Sequence, residues 1–147
     1  MKFAIPAIAL ISGAALTVQV GMNNALRTRM GNPLVAAFVS FLTGTTALLI
    51  YLVVTRPSLP DRSAFSRGPW WIWAGGLVGA CYVASAAAFA SRLGAAPWLG
   101  LIVTGQIVAS VAMDHFGLFG FTQHTLGPER LLGVALLLAG VTLVLRS

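Results

Sequence analysis

Five long apolar stretches, almost free of charged residues, constrain this 147-residue chain more than any other feature. They run approximately over residues 3–26, 33–54, 70–91, 96–114 and 129–146. A helix that spans a membrane needs about 20 predominantly apolar residues. The pattern therefore predicts an all-α polytopic membrane protein, with a bundle of five transmembrane helices in one domain over residues 1–147.

The fifth stretch is the shortest, because only Leu131 to Leu145 is uncharged. We expect this helix either to recruit Pro128, Glu129 and Arg130, with the charged side chains snorkelling, or to cross a thinned part of the bilayer.

Composition agrees with a lipid environment. Apolar residues make up 58% of the chain and charged residues 8%, against roughly 25% charged residues in soluble domains. The net charge of +6 raises the possibility of nucleic-acid binding. The charges lie in the gaps between apolar stretches, however, where they face lipid headgroups, so we expect a lipid bilayer and no nucleic acid as partner.

The residue patterns of enzymes and metal sites are missing from the sequence. It has no Ser/His/Asp set, no paired carboxylates and no glycine loop for phosphate. Cys81 is the only cysteine, and no Cys/His cluster has metal-ligand spacing. We therefore expect no enzyme activity, no cofactor and no metal. The uncharged run Phe3 to Leu26 exceeds the usual 7–15 residues of the apolar region of a signal peptide, so we expect a retained first helix.

Positive residues divide almost evenly between the two sides of the predicted membrane protein. The N-terminal side would carry Lys2, Arg56, Arg62, Arg67 and Arg130, and the opposite side Arg27, Arg29, Arg92 and Arg146. This slightly favours a cytoplasmic N-terminus. So small a bias suggests that both orientations are inserted and form an antiparallel homodimer, as in inverted repeats. The alternatives are pairing with an oppositely inserted five-helix homologue and a parallel homodimer.

Polar residues inside the predicted helices indicate where function resides, because polar groups at membrane depth are costly without partners. Gln19 and Asn23 share a face of helix 1, and Gln106 and Ser110 share a face of helix 4. We interpret these two faces, with Tyr82 of helix 3, as the walls of a substrate cavity. The alternative is that these groups only hydrogen-bond between helices and hold the bundle together.

Asp114 continues the face of Gln106 and Ser110 to the end of helix 4. A titratable carboxylate there is a candidate for proton coupling. Alternatively, it pairs with Arg130 or Arg92, of which only Arg130 shares its predicted side of the membrane. No carboxylate lies at mid-membrane, so we expect a substrate that is neutral, anionic, or held by amides and aromatic rings.

Small residues recur at helix-packing spacing, which allows the close backbone approach that helices need in lipid. Examples are Gly75 and Gly79 of helix 3 and Ala135 and Ala139 of helix 5. The tryptophans at the start of helix 3 indicate an aromatic belt at the membrane boundary rather than a ligand-stacking wall.

Several of these features together resemble a known family. They are Gln19 with Asn23, the Trp-rich entry to Gly75–Ala80 and Tyr82, Arg92–Gly94, Gly105–Gln106, and Asp114–Gly117. The chain resembles the YdcZ-type branch of the drug/metabolite transporter (DMT) superfamily over nearly its whole length. The resemblance implies a bacterial inner-membrane, multi-pass protein with five helices, equal to half of a ten-helix inverted repeat. It also implies export of small molecules, and it assigns no binding residues.

The resulting prediction is a secondary transporter that exports a small polar or amphipathic metabolite by alternating access in a dimer. The alternative is a non-transporting membrane subunit that assembles with or stabilises a partner membrane protein.

Overall fold

Helices form most of the part of the chain that the structure describes. The computed structural model describes residues 3–61, 63 and 68–146. Its long helices are α1 (Ala4–Met30), α2 (Pro33–Thr55), α3 (Gly75–Leu93), α4 (Ala95–Phe116) and α5 (Pro128–Arg146). Short 3-10 turns at Trp70–Ala74 and Leu118–Gly120 precede α3 and follow α4.

All five helices are long and apolar enough to cross a membrane, the third together with its preceding turn as Trp70–Leu93. No strand occurs in the described ranges. The prediction of an all-α membrane protein with five spanning helices is therefore confirmed. Most large apolar side chains of these helices are exposed, which matches a lipid environment.

The first helix is longer than the sequence predicted. It continues past residue 26 to Met30, so that Arg27 and Arg29 belong to its last turn. Cations at this position interact favourably with the negative end of the helix dipole. Lys2, Arg62 and Arg67, which enter the count of positive residues above, lie outside the described residues.

Local chemistry at the turns explains where the helices begin and end. Asn32 precedes α2, and its Oδ1 accepts hydrogen bonds from the amides of Leu34 and Val35 at 2.8 and 3.4 Å. Pro33 follows at the first helical position, where its missing N–H costs nothing. Gly94 alone separates α3 from α4, with a φ of 94° that residues with a Cβ rarely adopt.

The chain divides into two compact units, Met1–Arg92 and Leu93–Ser147. In the first unit α1 packs on α2, and Phe41 of α2 contacts α3 at Gly79. The buried side chains of α2 and α3 are nearly all alanine, which allows close packing: Ala36, Ala37, Ala86, Ala87 and Ala90.

In the second unit α4 packs on α5. Their backbones approach closely at Gly100, where an added Cβ would lie 3.2 Å from Cγ2 of Val141. The small residues singled out from the sequence are not all used in this way. A Cβ at Gly75 would meet nothing within 4 Å, and Ala135 and Ala139 are exposed.

Candidate functional site

A row of polar side chains lies along one side of α1. Gln19 is partly buried and Asn23 is only 4% exposed. Arg27 follows after four more residues and extends the row on the same face. Neither amide makes a hydrogen bond to any residue that the structure describes. The carboxamides of Gln19 and Asn23 therefore offer donors and acceptors that no described residue uses.

Asn24 adds a buried acceptor next to this row. Its Oδ1 is inaccessible and has no hydrogen-bond partner among the described residues. An unsatisfied buried carbonyl oxygen is costly, so the α1 row carries unused hydrogen-bonding capacity.

Arg27 joins α1 to the C-terminal part of α3. Its Nη1 donates to the backbone oxygens of Ala87 and Ala88 at 3.3 and 3.2 Å, and to Oγ of Ser91 at 3.3 Å. The C-terminal parts of α1 and α3 therefore lie close together at Arg27. Nε and Nη2 of Arg27 donate to none of the described residues.

Tyr82 lies in α3 and is partly buried. Its backbone oxygen accepts a hydrogen bond from Oγ of Ser85 at 2.8 Å, whereas its phenol has no hydrogen bond within the described part of the chain. The Ser85 hydroxyl is satisfied by its own helix, as expected for serine in a membrane helix.

The predicted site residues of α4 behave differently from one another. Ser110 is exposed, but its hydroxyl donates to the backbone oxygen of Ile107 at 3.0 Å in its own helix. Thr104 is buried and does the same to Gly100 at 2.8 Å. Gln106 is exposed at the middle of α4 and has no hydrogen bond to a described residue. Of these three side chains, only the carboxamide of Gln106 still lacks a hydrogen-bond partner among the described residues.

Asp114 forms an ion pair at the end of α4. Its Oδ2 lies 3.2 Å from Nη1 of Arg130, at the start of α5. Of the two arginines proposed from sequence as partners, the structure pairs Asp114 with the one on its own predicted side. Both side chains are about one-third exposed, at 31% and 38%, so solvent screens the pair. Whether Asp114 also carries a proton stays a prediction.

The segment after α4 folds back and caps that helix. The amide of Gly117 donates to the oxygen of Met113, and the amide of His124 donates to the oxygen of Asp114 at 2.8 Å. Nε2 of Gln123 donates to the oxygen of His115 at 2.9 Å. These bonds satisfy three of the four carbonyl groups that the end of a helix leaves free.

His115 borders a cavity of about 390 Å³ between α4 and α5. The other walls are mainly aliphatic, including Val108, Val111 and Val134. Nδ1 of His115 is buried without a hydrogen-bond partner in the described ranges, and its ring meets that of Phe116 edge to face. This cavity lacks the polar groups expected of a site for a polar metabolite.

The predicted site residues fall in both units. Gln19, Asn23 and Tyr82 belong to Met1–Arg92, and Gln106, Ser110 and Asp114 belong to Leu93–Ser147. The cavity formed by the two polar faces stays a prediction. Among the described residues, no three His, Cys, Asp or Glu side chains are grouped to hold a metal ion.

Sequence reasoning missed Arg27 as a site residue because it placed the end of helix 1 at residue 26. The signal was nonetheless present, since Arg27 follows Asn23 by four residues and Gln19 by eight. A helix prolonged by one turn places all three on the same face.

Comparison with curated proteins and with solved structures finds no match to this chain. A comparison with protein families does find one. The five helices that are long and apolar enough to span a membrane agree with it. The matching family model covers residues 4–143, and the chain belongs to the family described as "Putative inner membrane exporter, YdcZ".

Proposed function

We propose that this inner-membrane protein is a secondary transporter that exports a small polar or amphipathic metabolite by alternating access in a dimer. Membership of an exporter family points to a transporter rather than an enzyme. The proposal adds the substrate class, the dimer and the residues that bind the substrate.

Gln106 is the observation that carries the proposal. It lies about 15 Å from either end of α4 by the rise of 1.5 Å per residue. An unpaired amide in an apolar medium costs roughly 2–7 kcal/mol. An exposed carboxamide at this depth is therefore unfavourable against acyl chains. A polar substrate pathway, or another protein surface, supplies the partners that lipid lacks.

Asn23 and Gln19 support the same function on α1. Their carboxamides offer both donors and acceptors, which suits a polar metabolite better than an apolar drug. We propose Gln19, Asn23, Tyr82, Gln106 and Ser110 as substrate-binding residues. The hydroxyl of Ser110 already bonds its own helix, so we expect a smaller contribution from it.

A dimer is proposed because five helices make a thin wall around a pathway. The nearly even positive charge on the two sides supports an antiparallel homodimer, with an oppositely inserted homologue as the second possibility. Paired cytoplasmic and periplasmic reporters at the C-terminus test this. Activity of both reporters supports dual insertion, whereas activity of one reporter alone excludes an antiparallel homodimer.

Efflux from reconstituted vesicles tests the transport function without assuming a substrate. Vesicles are loaded with an isotope-labelled extract of bacterial metabolites, and mass spectrometry identifies the compounds that leave. We expect a defined set to leave vesicles with the parent protein and to be retained with Gln106→Leu or Asn23→Leu. Val103→Leu, an exposed apolar position on α4, is the matched control and should transport normally.

The competing function is a non-transporting subunit. It predicts that no compound leaves faster than from protein-free vesicles, and that Gln106→Leu weakens assembly with a partner. Transport by the Gln106→Leu and Asn23→Leu variants at the parent rate would remove these residues from the pathway.

A further inference from the structure

We propose that Arg27 and Ser91 form an oxyanion-binding site at the common end of α1 and α3, and that the transported metabolite carries a carboxylate or phosphate group. This inference rests on the proposed transport function for its substrate class, but the binding site itself can be tested without transport.

The hydrogen bonds of the Arg27 guanidinium leave one of its edges unused. Nη1 is held by the Ala87 and Ala88 oxygens and by Oγ of Ser91, which fixes the side chain against α3. Nε and Nη2 have no acceptor among the described residues. Two neighbouring N–H groups on one edge of a fixed guanidinium match the paired oxygens of a carboxylate or phosphate.

The charge around Arg27 also favours an anion. The helices of the first unit contain no Asp or Glu, so Arg27 has no carboxylate partner on α1, α2 or α3. Arg29 and Arg92 lie at the same helix ends, which makes this end of the unit strongly positive. The C-terminal ends of α1 and α3 offset only about half a charge each. A partly buried cation without a counter-ion favours the binding of an anion.

The position of Arg27 along α1 agrees with a role in substrate entry. Arg27 lies near the end of α1, where a span meets the headgroup region. Asn23 and Gln19 lie about 6 and 12 Å deeper along the same face by the helical rise. Their amide N–H groups can donate to an oxyanion that has left Arg27, and no carboxylate on these helices would repel it. Arg27 thus stands at the outer end of a row of donors.

Ser91 completes the site. Its oxygen accepts from Arg27, which leaves its own proton free to donate to a bound oxyanion. Ser91 is exposed, so the Ser91→Ala variant removes one donor at small risk to folding. Arg92 is directed to the ring of Phe89 on its own helix, at 5.5 Å from the ring centroid, and we assign it no direct contact.

The oxyanion bound by Arg27 and Ser91 could belong either to a soluble metabolite or to the headgroup of a phospholipid. Thermal unfolding in maltoside micelles, which contain no phosphate, separates the two sources. One arm adds inorganic phosphate or acetate, against sodium chloride of equal ionic strength and choline chloride. The second arm adds phosphatidylglycerol to the micelles in sodium chloride alone. Ligand that binds only the folded protein raises the unfolding temperature.

We expect phosphate or acetate to raise the unfolding temperature of the parent protein, and choline not to. The rise should disappear in Arg27→Gln, shrink in Arg27→Lys and Ser91→Ala, and persist in Arg29→Gln. Arg29 is the matched control because it is exposed on the same turn of α1 and makes no hydrogen bond to a described residue. A rise with phosphatidylglycerol alone, again dependent on Arg27, assigns the site to lipid.

An equal anion effect in Arg27→Gln and the parent protein, or no effect of either anion or of phosphatidylglycerol, overturns the proposal. If Arg27→Gln does not fold, Arg27→Lys and Ser91→Ala test the site instead. Arg27→Lys retains the positive charge, and Ser91→Ala retains the hydrogen bonds from Arg27 to the backbone of α3. If anions do not raise the unfolding temperature but efflux still depends on Gln106, only the anion site is excluded. If anions raise the unfolding temperature but no compound leaves the vesicles, the transport function is excluded and the anion site stands.

Discussion

Oδ2 of Asp114 lies 3.2 Å from Nη1 of Arg130, and this pair ties the last turn of α4 to the first turn of α5. The same turn of α4 receives hydrogen bonds from the segment that follows it. Asp114 is therefore part of a local structure that closes one end of the second unit, which gives its carboxylate a role that does not require proton transfer.

The first prediction concerns this ion pair. Asp114→Asn and Arg130→Gln should each lower the free energy of unfolding by less than about 1 kcal/mol, because both groups are partly solvated. The double variant should cost less than the sum of the two. We expect Asp114→Asn to retain efflux driven by a pH gradient. Loss of that efflux in Asp114→Asn, with efflux preserved in Arg130→Gln, would instead identify Asp114 as the proton-coupling group.

The second prediction concerns the cap on α4. Gln123→Leu removes the donor to the oxygen of His115, so the folded-back segment should open more often. We expect faster hydrogen exchange at the His124 amide, which is bonded to Asp114. Thr122→Ala is the control, because Thr122 is exposed and makes no hydrogen bond to a described residue. Unchanged exchange in Gln123→Leu would show that the backbone bond alone holds the segment.

The sequence was sufficient for the helical fold because apolar length and the position of charges determine which segments cross a membrane. It also placed Asp114 and Arg130 on one side, since each span reverses the direction of the chain. It did not predict the link from Arg27 to α3, because the acceptors are backbone oxygens that carry no side-chain signal. The cap by Gln123 was missed for the same reason.

The third prediction concerns the start of α2. Asn32→Ala removes the side-chain acceptor for the amides of Leu34 and Val35 and should cost about 0.5–2 kcal/mol of stability. Asn32→Ser supplies another acceptor and should recover most of the loss. Thermal unfolding in detergent measures both variants. Equal unfolding temperatures for Asn32→Ala and the parent protein would show that lipid headgroups or water replace the cap.

The last prediction uses two glycines of the same helix. An added Cβ at Gly100 would lie 3.2 Å from Cγ2 of Val141, so that Val141 would have to shift, whereas a Cβ at Gly105 would meet nothing within 4 Å. Gly100→Leu should therefore lower the free energy of unfolding by about 1–3 kcal/mol, as overpacking does. Gly105→Leu makes the same chemical change in an open position, and we expect it to fold with the stability of the parent protein. Thermal unfolding of the two variants gives the comparison. An equal loss of stability in both variants would mean that a second protein surface covers Gly105, as would be the case if this face of α4 lies in the proposed dimer interface.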